Sequence, residues 1–422
     1  METQGLLAGA SKVRIELDGV LPHDGFTVER HPLCARVLVL ERASERVCIV
    51  SLELTSIAPA LQARLEDAVE AACGCRPPYV WIVLTHTFSA PHVRTPQHLK
   101  SDGERERNER YLAAIANAVE RAAANAVDVT VPARIERAQG GCPVNVNRDV
   151  ETPAGWWLGT NDEGFSDHAM PIVRVADASG GTIAVIAAAD VQSSVLDKSR
   201  TSEGERVVSG DLFGFAAGMV ERELGGACLM LPGAAGDQAP RERAVTVTYD
   251  EGGTAATEDA HEDGYRMLHQ QGAALGLALV QALADAVPCE AGTIAARELT
   301  VELPAQERAD FQSLRPRKSY EFVPVGTTST QVSLLRLGDM RLVGIQPEVA
   351  SSFGAAVRAA CPGRTVLATL VNGAAKYLPA PDAYQKITYE AMNSGFAQGA
   401  HEALLDTILA ALGAAPNERS AR

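Results

Sequence analysis

The sequence lacks the basic excess that a nucleic-acid binder needs: 38 Lys and Arg stand against 53 Asp and Glu, a formal net charge of −15 over 422 residues. Phosphate contacts require a cationic footprint, so nucleic acid is excluded as the main partner. No uninterrupted apolar run approaches the roughly 20 residues of a membrane-spanning helix. The longest, at 182–189 and 275–287, are short or broken by charge. Residues 1–10 carry no basic residue and no apolar stretch long enough for a signal peptide, which points to a cytoplasmic protein. The eight cysteines include no CxxC pair, so they read as buried free thiols in a reducing compartment rather than a metal or disulfide framework. Dinucleotide and phosphate-loop glycine patterns, HExxH and the Gly-x-Ser-x-Gly elbow are all missing. The acidic run 258–263 lacks the spacing of a calcium loop and reads as a solvated segment.

What is present is an ordinary globular balance, 46% hydrophobic and 22% charged, enough for a sizeable core. β-branched or apolar runs at 13–17, 36–40 and 47–54 precede helical spacing at 58–72, and strand character returns at 79–84. A second amphipathic helix at 111–126 and a strand at 129–136 lead into a Gly/Pro/Asn-rich passage, 140–164, long enough to be a functional loop. Strands at 172–175, 182–187 and 227–231 enclose a helix at 213–224. After an acidic loop, 250–264, come a long helix at 265–286, strands at 294–302, 331–337, 340–345 and 365–371, and helices at 349–360 and 394–412. This rhythm is that of an α/β protein. The chain 1–422 reads as one domain, with the acidic loop as the candidate join between two lobes, 1–250 and 265–415.

In α/β sheets, ligands gather beyond the carboxyl ends of strands. Five segments place polar groups there: Thr85-His86-Thr87-Phe88-Ser89-Ala90-Pro91-His92, Asp190-Val191-Gln192, Gly233-Ala234-Ala235-Gly236-Asp237-Gln238-Ala239-Pro240, Gln346-Pro347-Glu348, and Asn372-Gly373-Ala374-Ala375-Lys376-Tyr377. Together with His31-Pro32-Leu33-Cys34-Ala35-Arg36, Asn145-Val146-Asn147-Arg148, Ser209-Gly210-Asp211-Leu212-Phe213-Gly214 and a closing segment ending at Glu390, this ordered set resembles the N-terminal catalytic domain of the neutral ceramidases. The resemblance spans nearly the whole chain and implies a short member without the C-terminal immunoglobulin-like domain. It also implies a fold of mixed β-sheets flanked by helices, and an amide (C–N) hydrolase in which a zinc-bound water attacks an N-acyl substrate.

Carried over residue by residue, the resemblance makes His86 and Glu348 zinc ligands. Tyr377 lies beside the metal, Tyr389 at the substrate carbonyl, and Arg148 at a nearby anionic group. Gln192 stands where a second histidine ligand is expected, Phe88 where the motif's other histidine falls, and Ala239 where a serine falls. A neutral amide oxygen is a poor zinc donor, though hard cations accept it, so the metal is zinc, another divalent ion, or none. The tentative ligand set is His86, Gln192, Glu348 and Tyr377; catalysis falls to His86, Tyr377, Tyr389 and Arg148; His92, Asn147, Gln192, Asp237 and Gln238 are substrate contacts. Bland readings stand beside these: Glu348 as a helix N-terminal carboxylate, Asp237 as a loop-ordering acceptor, and Trp156 and Trp157 as core plugs; a functional alternative to Gln192 is Asp190, which could reach the cavity from two residues before it. The departures make ceramide itself a doubtful substrate. They leave open a metal-independent cyclase, isomerase or lyase on a small or acylated substrate, or a non-catalytic ligand-binding homologue.

Overall fold

A computed structural model of the chain describes residues 5–251, 254–290 and 293–413. Its plan follows from the side-chain alternation of strands, which sends odd and even positions to opposite faces. In the strand Val80–Leu84, Val80, Ile82 and Leu84 pack against helices Pro59–Cys73 and Asp102–Asp128, whereas Trp81 and Val83 face a second sheet. The same division runs through Cys34–Arg42, Glu45–Leu52, Thr182–Ala189 and Ala227–Pro232, the last two turning their other face to helices Asp211–Leu224 and Asp263–Leu283. Apolar residues on both faces exclude a half-solvated sheet and specify four layers: helices, a nine-stranded sheet, a four-stranded sheet and helices. Ser351–Ala360 and Ala400–Leu412 form the last layer through Phe353, Val357, Leu404 and Ile408. Both sheets mix parallel with antiparallel pairing, as expected.

Three times the chain lays down an antiparallel hairpin, a helix, and a strand parallel to the hairpin's second arm. The hairpins are Cys34–Arg42 with Glu45–Leu52, Ala169–Asp177 with Thr182–Ala189, and Pro324–Leu337 with Met340–Ile345; the returning strands are Val80–Leu84, Ala227–Pro232 and Thr365–Ala368. Helix signals are local: Pro59 opens the first helix and Gly74, at φ 71°, closes it with an amide on Glu70 O.

Three expectations need correction. The passage 140–164 is no loop: Asn145–Thr152 and Gly155–Asn161 form a hairpin that Gln238–Pro240 joins as a third strand. Its polar and Gly content masked period-2 alternation, which sets Trp156 and Trp157 on opposite faces. Part of the acidic loop is likewise a hairpin, Val245–Tyr249 with Ala255–Asp259, whose exposed edge tolerates acidic residues; residues 252–253 lie outside the description. Glu348 belongs to no helix, because the helix starts only at Ser351. It sits in a two-residue strand paired with Tyr377. All eight cysteines are free. Among the described residues no helix is long and apolar enough to cross a membrane.

Candidate active site

The three repeated units deliver their strand ends to one place. Thr55, Gln192 and Glu348 each lie three residues beyond the second hairpin arm, which ends at Leu52, Ala189 and Ile345. The returning strand Val80–Leu84 supplies His86 directly, and pairing of Glu348 with Tyr377 brings the closing segment alongside. His86 is bound there in a left-handed conformation, φ 58°, and Lys376 in another, φ 60°. For residues with a Cβ this conformation is strained and clusters at functional sites.

His86 is 8% exposed. Its Nδ1 donates to Thr55 O at 2.5 Å, which fixes the ring and turns Nε2 towards the Glu348 carboxylate 3.3 Å away, with no properly formed hydrogen bond to it. Glu348 Oε2 accepts from Gln192 Nε2 at 2.8 Å, and Gln192 Oε1 accepts from Arg148 Nη1 at 2.7 Å. Because a guanidinium can only donate, this chain assigns the Gln192 amide: oxygen towards Arg148, nitrogen towards Glu348. Burial alone would raise the Glu348 carboxyl, but His86, Arg148 and Lys376 outweigh it and hold the group below its ordinary range, ionised.

Both phenols are kept neutral. Burial, then the Glu348 charge, pushes Tyr377 well above its ordinary value, and burial pushes Tyr389 up to about 12. The Arg148 guanidinium lies over the Tyr377 ring at 5.3 Å, and Asn393 Nδ2 donates to Tyr389 Oη at 3.1 Å. The Tyr389 oxygen thus accepts from the protein, which frees its own proton for a ligand. The two rings meet edge-on at 5.8 Å, and Trp157 braces Tyr389 at 5.4 Å. Phe88 lies edge-on to the His86 ring at 4.6 Å, an apolar wall where a histidine was the alternative.

These groups line a cavity of about 520 Å³. A smaller one of about 210 Å³ shares Glu348 and Tyr377 with it and is bounded by Asn147, Asp149, Trp156, Asp237 and Glu390. Arg148 forms the partition, its Nε donating to Glu390 Oε1 at 2.8 Å. Burial, then the neighbouring Glu390, raises the Asp149 carboxyl well above its ordinary range. Asp237 accepts from Ser351 N at 2.8 Å, and burial pushes its carboxyl up to about 7.

The other expected contacts are dispersed. His92 lines the larger cavity but is tied through Nδ1 to Asp24 at 2.6 Å. Asn147 lies in the smaller cavity, and fully buried Gln238 is spent on Phe165 O at 3.0 Å and on Asp237. Asp190 does not reach a cavity; it is fully buried in a two-pronged pairing with Arg358, at 3.1 and 2.6 Å, and caps Ala234 N. Sequence reasoning missed Thr55, Glu390, Asn393 and Lys376. The shared offset of Thr55, Gln192 and Glu348 was there to be read, but only once the hairpins were aligned.

The donor set does not fit a three-ligand zinc centre. Among the described residues no three His, Cys, Asp or Glu side chains gather closely enough to hold a metal. His86 Nε2 and Glu348 supply two donors, the Gln192 oxygen is committed to Arg148, and Tyr377 is held as a neutral phenol.

This four-layered α/β architecture matches the fold of solved neutral ceramidase structures. No protein family and no curated protein matches the chain in sequence. Among solved structures it is similar to neutral ceramidase from Pseudomonas aeruginosa, with a TM-score of 0.72 and 16% identity over 97% of this chain and 74% of that one. It is likewise similar to a ceramidase complexed with C2, with a TM-score of 0.70 and 16% identity over 96% of this chain and 74% of that one. At such identity the likeness shows the fold alone.

Proposed function

We propose that the chain is an enzyme acting at the carbonyl of an amide or related bond in a small acylated substrate, by acid–base chemistry rather than through a metal. The observation that carries this reading is the pair of neutral phenols, Tyr377 and Tyr389, lining the same cavity as the uncommitted His86 Nε2, with the Tyr389 oxygen already occupied and its proton free. Tyr377 and Tyr389 would donate to the substrate oxygen and hold the negative charge that develops there, a contribution of roughly 10²–10³ in rate for one such donor. His86 Nε2 takes the proton of the attacking nucleophile as the new bond to the carbonyl carbon forms. Glu348, ionised 3.3 Å away, stabilises the resulting imidazolium. His86 then returns that proton to the leaving nitrogen as the C–N bond breaks, so the proton count closes within the site. Water as nucleophile gives hydrolysis; a heteroatom of the substrate gives cyclisation.

The test combines elemental analysis with turnover of an N-acyl amide panel followed by mass spectrometry. Protein purified without chelators should carry far less than one zinc per chain, and chelators should leave its rate unchanged. His86→Ala should abolish product formation. Activity that requires stoichiometric zinc, or that survives in His86→Ala, defeats the reading.

A further inference from the structure

An acidic protein has here a cavity of the opposite sign. The larger cavity is lined by Arg148, Lys198, Arg206, Arg243 and Lys376, against two carboxylates, Asp197 and Glu348. Arg148 is consumed by Glu390 and Gln192, and Lys376 faces Glu348. That leaves Lys198, Arg206 and Arg243 in the outer half around one carboxylate, Asp197, with His92 facing it too. Among the described residues neither Arg206 nor Arg243 forms an ion pair: Arg206 lies over the Phe26 ring at 4.0 Å, and Arg243 donates to Gly159 O at 2.8 Å. Burial lowers both guanidinium groups below their ordinary value; Asp197 acts on both and Asp24 on Arg206, but Asp24 is paired with His92 and Arg94 and Asp197 with Lys198. Holding two half-buried guanidinium groups without partners is costly unless a ligand supplies the missing charge. The flank is apolar, formed by Val245, Val247, Tyr249 and Trp157.

We propose that the outer half of the larger cavity is a subsite for an anionic oxyacid group, a carboxylate or a phosphate, which the substrate carries away from its reacting carbonyl, with Arg206 and Arg243 as its main partners. This rests on the carbonyl-directed reading above and names its substrate class. It also moves anion recognition off Arg148, which Glu390 and Gln192 already hold. Two forked guanidinium groups suit a planar or tetrahedral oxyanion better than a neutral headgroup.

Titration calorimetry with three probes tests it: N-hexanoylglycine, its neutral carboxamide, and N-hexanoyl-aminoethyl phosphate. At low ionic strength the anionic probes should bind at least about tenfold more tightly than the carboxamide, and the margin should shrink as salt is raised. The more tightly held of the two identifies carboxylate or phosphate as the cognate group. In the double variant Arg206→Gln/Arg243→Gln the margin should fall to about unity, with the carboxamide unchanged and thermal melting showing a folded chain; Arg206→Lys/Arg243→Lys should restore part of it. Equal binding of charged and neutral probes, no anion binding at millimolar concentration, or a margin that survives in the Gln pair overturns the proposal. Turnover of the same probes is read separately. Anion preference without turnover keeps the subsite and removes the reaction, and turnover without preference does the reverse.

Discussion

Replacing Asp237 with Asn should remove a specific part of the pH dependence of stability. Asp237 is buried behind the site, accepts from Ser351 N at 2.8 Å and Gln238 Nε2 at 3.1 Å, and burial pushes its carboxyl from 3.8 up to about 7. A raised carboxyl means that the folded state holds a proton which the unfolded chain has released. Its contribution is therefore fully present below pH 3.8 and is lost as pH rises through 7. Between pH 5 and pH 8 this amounts to roughly two pKa units, about 3 kcal/mol. In a chain of this size that corresponds to a difference of about 3–4 °C in melting temperature. Asparagine keeps the acceptor oxygen for Ser351 and never ionises. Urea or thermal denaturation from pH 5 to 8 should show wild type losing about 3 kcal/mol relative to Asp237→Asn, the variant's lead widening steadily up to pH 8. Parallel curves would mean that the carboxyl is already ionised at pH 5 and that burial does not govern it.

Other expectations follow from the same contacts. Asp190→Ala leaves Arg358 facing a buried space and Ala234 N uncapped, so the melt should report a loss of about 3–5 kcal/mol, whereas a surface change such as Asp102→Ala should cost under about 1 kcal/mol. Gly236→Ala would place a Cβ 2.9 Å from the Val349 carbonyl, beside the strand that carries Glu348. It should cost about 1–3 kcal/mol in chemical denaturation and depress turnover disproportionately. Tyr389→Phe should lower kcat by roughly 10²-fold with circular dichroism unchanged; an unaltered kcat removes that phenol from the oxyanion role.

Much of the scaffold was legible because it rests on local rules. Alternating apolar strands and 3.6-residue periodicity carry the layers, and the polar segments after strand ends contain His86, Gln192, Glu348 and Tyr377, which line one cavity. The hairpin at Asn145–Asn161 was missed because its strands mix Asn, Gly and Trp and lack an apolar face. The partners of the site residues were hidden for a different reason: Glu390 meets Arg148 across 242 positions of chain, and no local pattern encodes such a contact. Thr55 was invisible because it acts through its backbone carbonyl, which any residue at that position supplies.

The orientation of Gln192 joins scaffold to chemistry. At the same offset past their hairpins, Thr55 gives a carbonyl, Gln192 an amide and Glu348 a carboxylate, so one structural position does three jobs: it fixes an imidazole, bridges two charges and supplies an anion. An amide suits the middle position because it accepts from a guanidinium at one end while donating to a carboxylate at the other. A histidine ligand would deliver nitrogen to a metal; Gln192 instead couples Glu348 to Arg148, and a guanidinium supplies the positive charge at the site. Unlike a metal, it offers no coordination site to a substrate oxygen, so in the proposed reaction polarising that oxygen falls to the two phenols. Their neutrality is therefore a requirement of that proposal, and burial beside Glu348 is what secures it at Tyr377.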